Sequence, residues 1–245
     1  MQHSEFPRAR ERYPSLPDPV DPGNSRLNAL RAGVLGANDG IVSTAALMVG
    51  VAAASTSPAA VFTAGIAGLV AGAFSMGVGE YVSVSSQRDS ERAMIEKEQH
   101  DLLSDPEGQV EQLAHMYEER GLSPATAHLV ASELTEHDAL RAHLDIEFRL
   151  DQEDLVNPWV AAAASAGAFT GGALIPLLAA VFLPTAFLPW SIVLAVLLAL
   201  GLTGLAAAKF GRSRKRVAVL RILIGGSIAL AAGYLIGALF GTAVH

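Results

Sequence analysis

Charged side chains are spread unevenly along this chain, and the gaps between them define its elements. Residues 32–87 carry two charged side chains, Asp39 and Glu80, while residues 155–208 and 222–245 carry none. A membrane-crossing helix needs about 20 consecutive apolar residues. The first gap is 56 residues long and holds two such helices, with the turn at Ser55-Thr56-Ser57-Pro58. The second is 54 residues long and holds two more, parted between Leu183-Pro184 and Leu188-Pro189. The third holds one. The pattern predicts five spans, at roughly 30–53, 59–86, 158–182, 188–208 and 218–241.

Lys and Arg flank these spans on one side only. Arg26 and Arg31 precede the first, Arg88 and Arg92 follow the second, and Lys209, Arg212, Arg214, Lys215 and Arg216 lie between the fourth and fifth. Positive charge marks the cytosolic side. The N-terminus and residues 88–156 are therefore expected in the cytosol and the C-terminus outside. Trp159 and Trp190 fall at opposite expected interfaces, where aromatic anchors belong.

Composition agrees. Hydrophobic residues make up 51% of the 245 residues and charged residues 17%, against about 25% charged in an average soluble domain. The absence of cysteine excludes disulfides, thiolate metal sites and cysteine nucleophiles. The net charge of −7 argues against nucleic acid as a partner. Residues 88–156 hold 18 of the 24 acids and 6 of the 17 bases, so this segment is −12 and the remainder +5. The expected fold class is all-α: a polytopic membrane protein with five transmembrane helices and a cytosolic acidic helical bundle inserted between helices 2 and 3. The expected domains are a disordered cytosolic arm at 1–26, helices 1–2 at 27–87, the acidic insert at 88–156 and helices 3–5 at 157–245. Residues 1–25 hold five prolines and no apolar run, so no signal peptide is expected there.

Small residues recur four apart at Gly36/Gly40, Gly68/Gly72, Gly167/Gly171 and Gly233/Gly237. Such pairs let helices approach closely in lipid. Pro176 falls inside the third span and is expected to kink it.

The polar residues inside the spans carry candidate chemistry. A carboxylate within a span costs about 2.5–3.5 kcal/mol on insertion scales and persists where it faces a cavity or a partner. Asp39 lies 8 residues past Arg31 and Glu80 lies 8 residues before Arg88, each about 12 Å along its helix. Met76 is one turn deeper than Glu80. The two helices run in opposite directions, so Asp39, Met76 and Glu80 can meet in the cytosolic half of the membrane. Carboxylate plus thioether suits a borderline divalent metal such as iron(II) better than magnesium or calcium. Paired carboxylates can also carry protons, because like charges in low dielectric raise one pKa.

The insert reads as amphipathic helices: an extension of span two to about 103, then Glu107–Arg120, then Pro124 to about His137, then Asp138–Leu150. Leu113, Tyr117, Leu129, Val130 and Leu134 are its expected core. It also holds five of the seven histidines. Glu96/His100, Glu111/His115 and Glu133/His137 are spaced i,i+4, as is His143/Glu147 in reverse order, so each pair shares a helix face. A di-iron oxidase would use Glu-x-x-His at i,i+3, a spacing that residues 88–156 lack. We therefore expect no enzyme. A membrane-anchored metal sensor or interaction module without transport is the alternative, but it does not require Asp39 inside a span.

Three segments carry a resemblance. They are Leu35-Gly36-Ala37-Asn38-Asp39-Gly40-Ile41-Val42, Ala73-Phe74-Ser75-Met76-Gly77-Val78-Gly79-Glu80-Tyr81, and Tyr117-Glu118-Glu119-Arg120-Gly121-Leu122-Ser123-Pro124. With the five-span layout they make residues 27–245 similar to the vacuolar iron transporter family, bacterial members included. The resemblance implies a homodimer with a pore between protomers, lined by spans one and two. It implies export of divalent iron or manganese from the cytosol, or into a vacuole, driven by proton exchange. The transport residues it implies are Asp39 and Met76; Glu80 joins them on depth alone. The cytosolic metal-binding glutamates fall on Glu98 and Glu147, and Asp101 stands at the next such position. Two further family glutamates fall on Gln109 and Gln112, with Glu107 and Glu111 nearby as substitutes. A methionine pair of the family falls on His143-Leu144. No permanently bound cofactor is implied; iron(II) or manganese(II) is the transported and regulatory ion. The partners implied are these ions, protons, the lipid bilayer and a second copy. Alanine-rich composition and the lack of targeting signals favour a bacterial plasma membrane.

Overall fold

The computed structural model describes residues 23–55, 57–148, 157–183, 187–210 and 214–243. The expected arm up to residue 22, the end of the last insert helix at 149–150, the centre of the 183–189 break and Arg212 lie outside the described residues. Seven α-helices are described: α1 (Gly23–Ala54), α2 (Pro58–Ser104), α3 (Pro106–Glu119), α4 (Pro124–His143), α5 (Pro158–Phe182), α6 (Leu188–Phe210) and α7 (Lys215–Ala243). A five-residue π-helical turn, Leu144–Phe148, continues α4. Five of the helices (α1, α2, α5, α6 and α7) are long and apolar enough to cross a membrane.

Helix starts follow one local rule. Ser57, Asp105, Ser123 and Asn157 each accept a backbone N–H with the side chain, and each is followed by proline in the first turn. The side chain satisfies an N–H left orphaned at the helix start, and proline has none to satisfy. Gly121, at φ 99°, ends α3, and the N–H of Leu122 reaches back to the Tyr117 carbonyl at 3.2 Å.

Helix α2 is 47 residues long, about 70 Å at 1.5 Å per residue, whereas a bilayer core is about 30 Å thick. Its second half must therefore project beyond the membrane, carrying the charged residues from Arg88 onward. There it meets α3 and α4, and Glu98 comes close to Glu147 of the π-turn.

Helix α1 packs against α2, α5, α6 and α7. Ile41, Ala45, Met48 and Val49 of α1 are buried with Ile192, Val196 and Leu200 of α6. Glycine sets the closest approaches. A Cβ on Gly40 would run into the Phe169 carbonyl, and one on Gly172 into that of Ala37. Along α7, Gly233 and Gly237 lie against the carbonyls of Ala46 and Gly50. The pairing order makes α1, α5 and α7 parallel. Met48 lies against Gly65 and Phe169 against Gly72, which sets α2 antiparallel to them. The projecting end of α2, the start of α5 and the α6–α7 connection therefore share one end of the bundle with the start of α1.

Not every expectation holds. Gly167 and Gly171 have open space where a Cβ would go, so this pair packs against no helix among the described residues. Pro176 lies inside α5, where the sequence places it, and is buried. Leu129 is 59% exposed and the insert core is instead Leu113, Ala114, Ala127, Ala131 and Ile146, with Tyr117 and Leu134 packed on it. Ala127, Ala131 and Leu134 form one stripe at i,i+4,i+7, and Leu129 points about 200° round from Ala127. Val130 is only part-buried and stands outside this core. The break between third and fourth insert helices survives as a kink: Asp138 (φ −163°, ψ 91°) leaves helical geometry and accepts the Arg141 N–H at 3.0 Å.

Gly40→Leu is expected to lower the melting temperature in detergent by the equivalent of about 1–3 kcal/mol or more, because a backbone carbonyl blocks the side chain. Gly167→Ala, in open space, is expected to leave it unchanged or raise it. Equal effects would refute the packing described.

Candidate functional site

The structure gathers candidate residues in two places. The first lies within the spans. Asp39 of α1 and Met76 of α2 both line two cavities. One, about 260 Å³, lies between α1, α2 and α5 and includes Thr44, Ser75 and Phe169. The other, about 430 Å³, lies toward α6 and α7 and includes Asn38, Leu200 and Ile222. Asp39 is exposed and Met76 part-exposed. Glu80 lines neither cavity; it stands one turn along α2 from Met76, part-exposed. Beside Asp39, the Thr203 hydroxyl of α6 donates to Oδ1 of Asn38 at 2.7 Å. This bond fixes the residue next to the carboxylate, and spacing along the chain could not reveal it.

The second place is the insert. Glu98 of α2, His143 at the end of α4 and Glu147 of the π-turn each offer a ligand atom, all within 4.8 Å of one another. Nδ1 of His143 stands 2.9 Å from Oε1 of Glu98, and both side chains are buried. Neither ring nitrogen nor that oxygen has a well-directed hydrogen bond. Oε1 of Gln109 on α3 is likewise buried without a partner. Buried polar atoms are normally satisfied, so the orphaned Glu98 and His143 atoms beside Glu147 are an arrangement a cation would complete. Three ligands at about 2.1 Å from one ion stand roughly 3–4 Å apart, close to the geometry present.

His143 and Glu147 are four apart and share a face, at the point where α4 passes into the π-turn; such turns gather at functional sites. Arg120 Nη2 donates to the Ile146 carbonyl at 2.6 Å, tying the end of α3 to the residue before Glu147. Loss of an outer contact of this kind typically costs 10–100-fold in metal affinity. Arg120→Ala is expected to weaken metal binding by about tenfold or more, with Arg120→Lys between it and wild type. Isothermal titration of the detergent-solubilised chain would show it, and unchanged affinity would refute the role.

Burial pushes the Glu147 carboxyl above its ordinary value, and the neighbouring Glu98 adds to this. Burial lowers the His143 pKa, partly offset by Glu147 and the Gln109 backbone. The imidazole is thus held neutral, the form that binds metal.

The other expected insert ligands stand outside this cluster. Asp101 pairs with Lys97 at 2.8 Å. Glu111 reaches His128 at 3.0 Å rather than His115, which lies 3.6 Å from Glu119. Glu107 is exposed in the first turn of α3.

Together these features define an integral multi-pass, all-helical membrane protein with a polar cleft in its spans and a Glu-His-Glu cluster in its insert, of which Glu98 and His143 are buried and Glu147 is exposed. The chain belongs to the VIT family, whose model matches residues 30–238. It is 41% identical over 203 residues to a vacuolar iron transporter of Acanthamoeba castellanii, covering 82% of this chain and 75% of the relative. Vacuolar iron transporter homolog 1 of Arabidopsis thaliana is 38% identical over 220 residues, covering 89% of this chain and 86% of the relative. The homolog 1 of Oryza sativa subsp. japonica is 36% identical over 222 residues, covering 89% and 76%. These relatives are named as transporters, and the chain is not an enzyme.

Proposed function

We propose that this protein moves divalent metal, iron(II) or manganese(II), out of the cytosol by proton antiport, acting as a homodimer. The observation that carries the reading is Asp39 with Met76, shared by two cavities inside a family whose relatives are named iron transporters. A carboxylate and a thioether suit a borderline metal. Asp39 is exposed although it lies in a span. Lipid is a costly neighbour for it, so a second copy covering this face supplies the missing surroundings. Phe62, Ile66, Val70, Phe74, Val78 and Val82 of α2 form an exposed stripe at four-residue spacing, which fits contact with lipid or that second copy.

Helix α2 links the two sites. Glu80 and Glu98 are 18 residues apart, which is five turns, so they share a face about 27 Å apart. Metal captured in the insert follows this helix toward Met76, with Glu80 on the way. The insert's acidic charge concentrates cations near the entrance. Arg88 and Arg92 of α2, Lys209 of α6 and Lys215 and Arg216 of α7 stand at the same end of the bundle, which is the cytosolic end by the positive-inside rule. The membrane is a bacterial plasma membrane in this reading. Protons entering from the far side compete for Asp39 and release the metal outward.

Reconstitution in vesicles tests the reading. Iron(II) and manganese(II) flux is expected to speed up when the release side is acidic and to slow when the gradient is collapsed. Flux indifferent to the gradient would refute antiport. Metal-dependent protection of the insert without any flux would favour a sensor.

A further inference from the structure

The cavity beyond Asp39 holds a polar group that the two-residue site leaves unexplained. Thr44 is 1% exposed, lines this cavity together with Asp39, and its Oγ1 has no hydrogen-bond partner. A threonine hydroxyl in a membrane helix ordinarily bonds back to its own helix, as Ser43 does here by donating to the Asp39 carbonyl at 2.6 Å. Thr44 follows Asp39 by five residues, about 7.5 Å along the axis, toward the end of the bundle away from the insert.

The space beside Thr44 is built in. Gly68 and Gly72 of α2 face it, and a Cβ on either would meet the Leu47 side chain or the Phe169 ring. Ser75 adds a second hydroxyl on the α2 wall. The cavity thus leads from the carboxylate-thioether level to an unpaired hydroxyl farther along the direction of export.

We propose that Thr44 is a further cargo-contacting residue: its Oγ1 offers the next oxygen, directly or through a bound water, to a divalent cation leaving Asp39. This rests on the transport reading above. A neutral hydroxyl suits the role because it binds a hard or borderline cation weakly enough to let it go.

The test separates function from packing. An unpaired buried hydroxyl stabilises nothing, so Thr44→Val, equal in shape, is expected to melt at or above the wild-type temperature in detergent. Its manganese(II) flux in vesicles is expected to fall roughly tenfold, equivalent to about 1.4 kcal/mol of barrier. Thr44→Ser, which keeps the hydroxyl, is expected to retain most of the flux. Full flux in Thr44→Val would overturn the proposal, and so would a lowered melting temperature that tracks the flux in both variants. Asp39→Asn runs beside them. Loss of flux there with full flux in Thr44→Val refutes the Thr44 role alone. Retained flux in Asp39→Asn overturns the transport reading and this proposal with it.

Discussion

Asp39→Asn is expected to reduce manganese(II) or iron(II) flux by about two orders of magnitude, equivalent to about 2.7 kcal/mol of barrier, without unfolding the protein. Asn keeps the size of the side chain and removes its charge. In the proposed function the charge is the part that holds a divalent cation and exchanges it for a proton. It is also the part that a bilayer penalises, by about 2.5–3.5 kcal/mol for a carboxylate in a span. The variant should therefore melt at or above the wild-type temperature in detergent. That opposition makes the result decisive, because a residue kept for structure would lose stability and flux together. Asp39→Glu keeps the charge but moves it by one methylene, and an intermediate flux is expected. The Asn38–Thr203 bond, which fixes the neighbouring residue, leaves little freedom to re-aim a longer side chain. Flux within twofold of wild type in Asp39→Asn would place the pathway elsewhere.

Much of this architecture is legible because the membrane imposes a coarse rule. Spans announce themselves as charge-free runs, and the five expected ones coincide with helices long and apolar enough to cross. Insert helices announce themselves by a cap residue followed by proline, as at Asp105-Pro106 and Ser123-Pro124. What stays hidden is which face meets which neighbour. Leu129 looks like core by size, yet the small Ala127 and Ala131 are the buried positions, because close helix packing favours them. Gly167 and Gly171 have the spacing of a packing pair and no partner among the described residues. The insert site shows the same limit. The i,i+4 rule finds His143 with Glu147, but Glu98 is 45 residues from His143 and reaches it only through the fold. Glu111 satisfies the same spacing with His115 and turns to His128 on the next helix. Thr44 carries no signal of its own, since its lack of a partner is a three-dimensional fact.

The Glu98 cluster should show the same opposition of stability and function. Without metal it places a carboxyl and an imidazole, both buried and poorly hydrogen-bonded, in one spot. Glu98→Leu removes the buried carboxyl at similar volume and leaves His143 neutral, so no buried charge is stranded. The variant is expected to melt no lower than wild type in the absence of metal. Wild type should gain stability on adding manganese(II), by about 2.7 kcal/mol at 100 times the dissociation constant, and Glu98→Leu should gain almost none. The gain should depend on pH with a definite sign. The Glu147 carboxyl is raised from 4.5, so acid protonates it, and expels metal, at a higher pH than for an ordinary glutamate. The His143 pKa is lowered from 6.5, so its ring stays neutral and able to bind as the pH falls through that value. Without metal the two groups oppose each other. His143 contributes stability that is lost as pH falls below 6.5, and Glu147 contributes stability that is lost as pH rises above 4.5 toward its raised value. Glu98, likewise raised by burial, acts in the same sense as Glu147, and the metal-induced gain should shrink steadily on acidification. A gain that is independent of pH, or that persists in Glu98→Leu, would move the insert's metal site away from Glu98, His143 and Glu147.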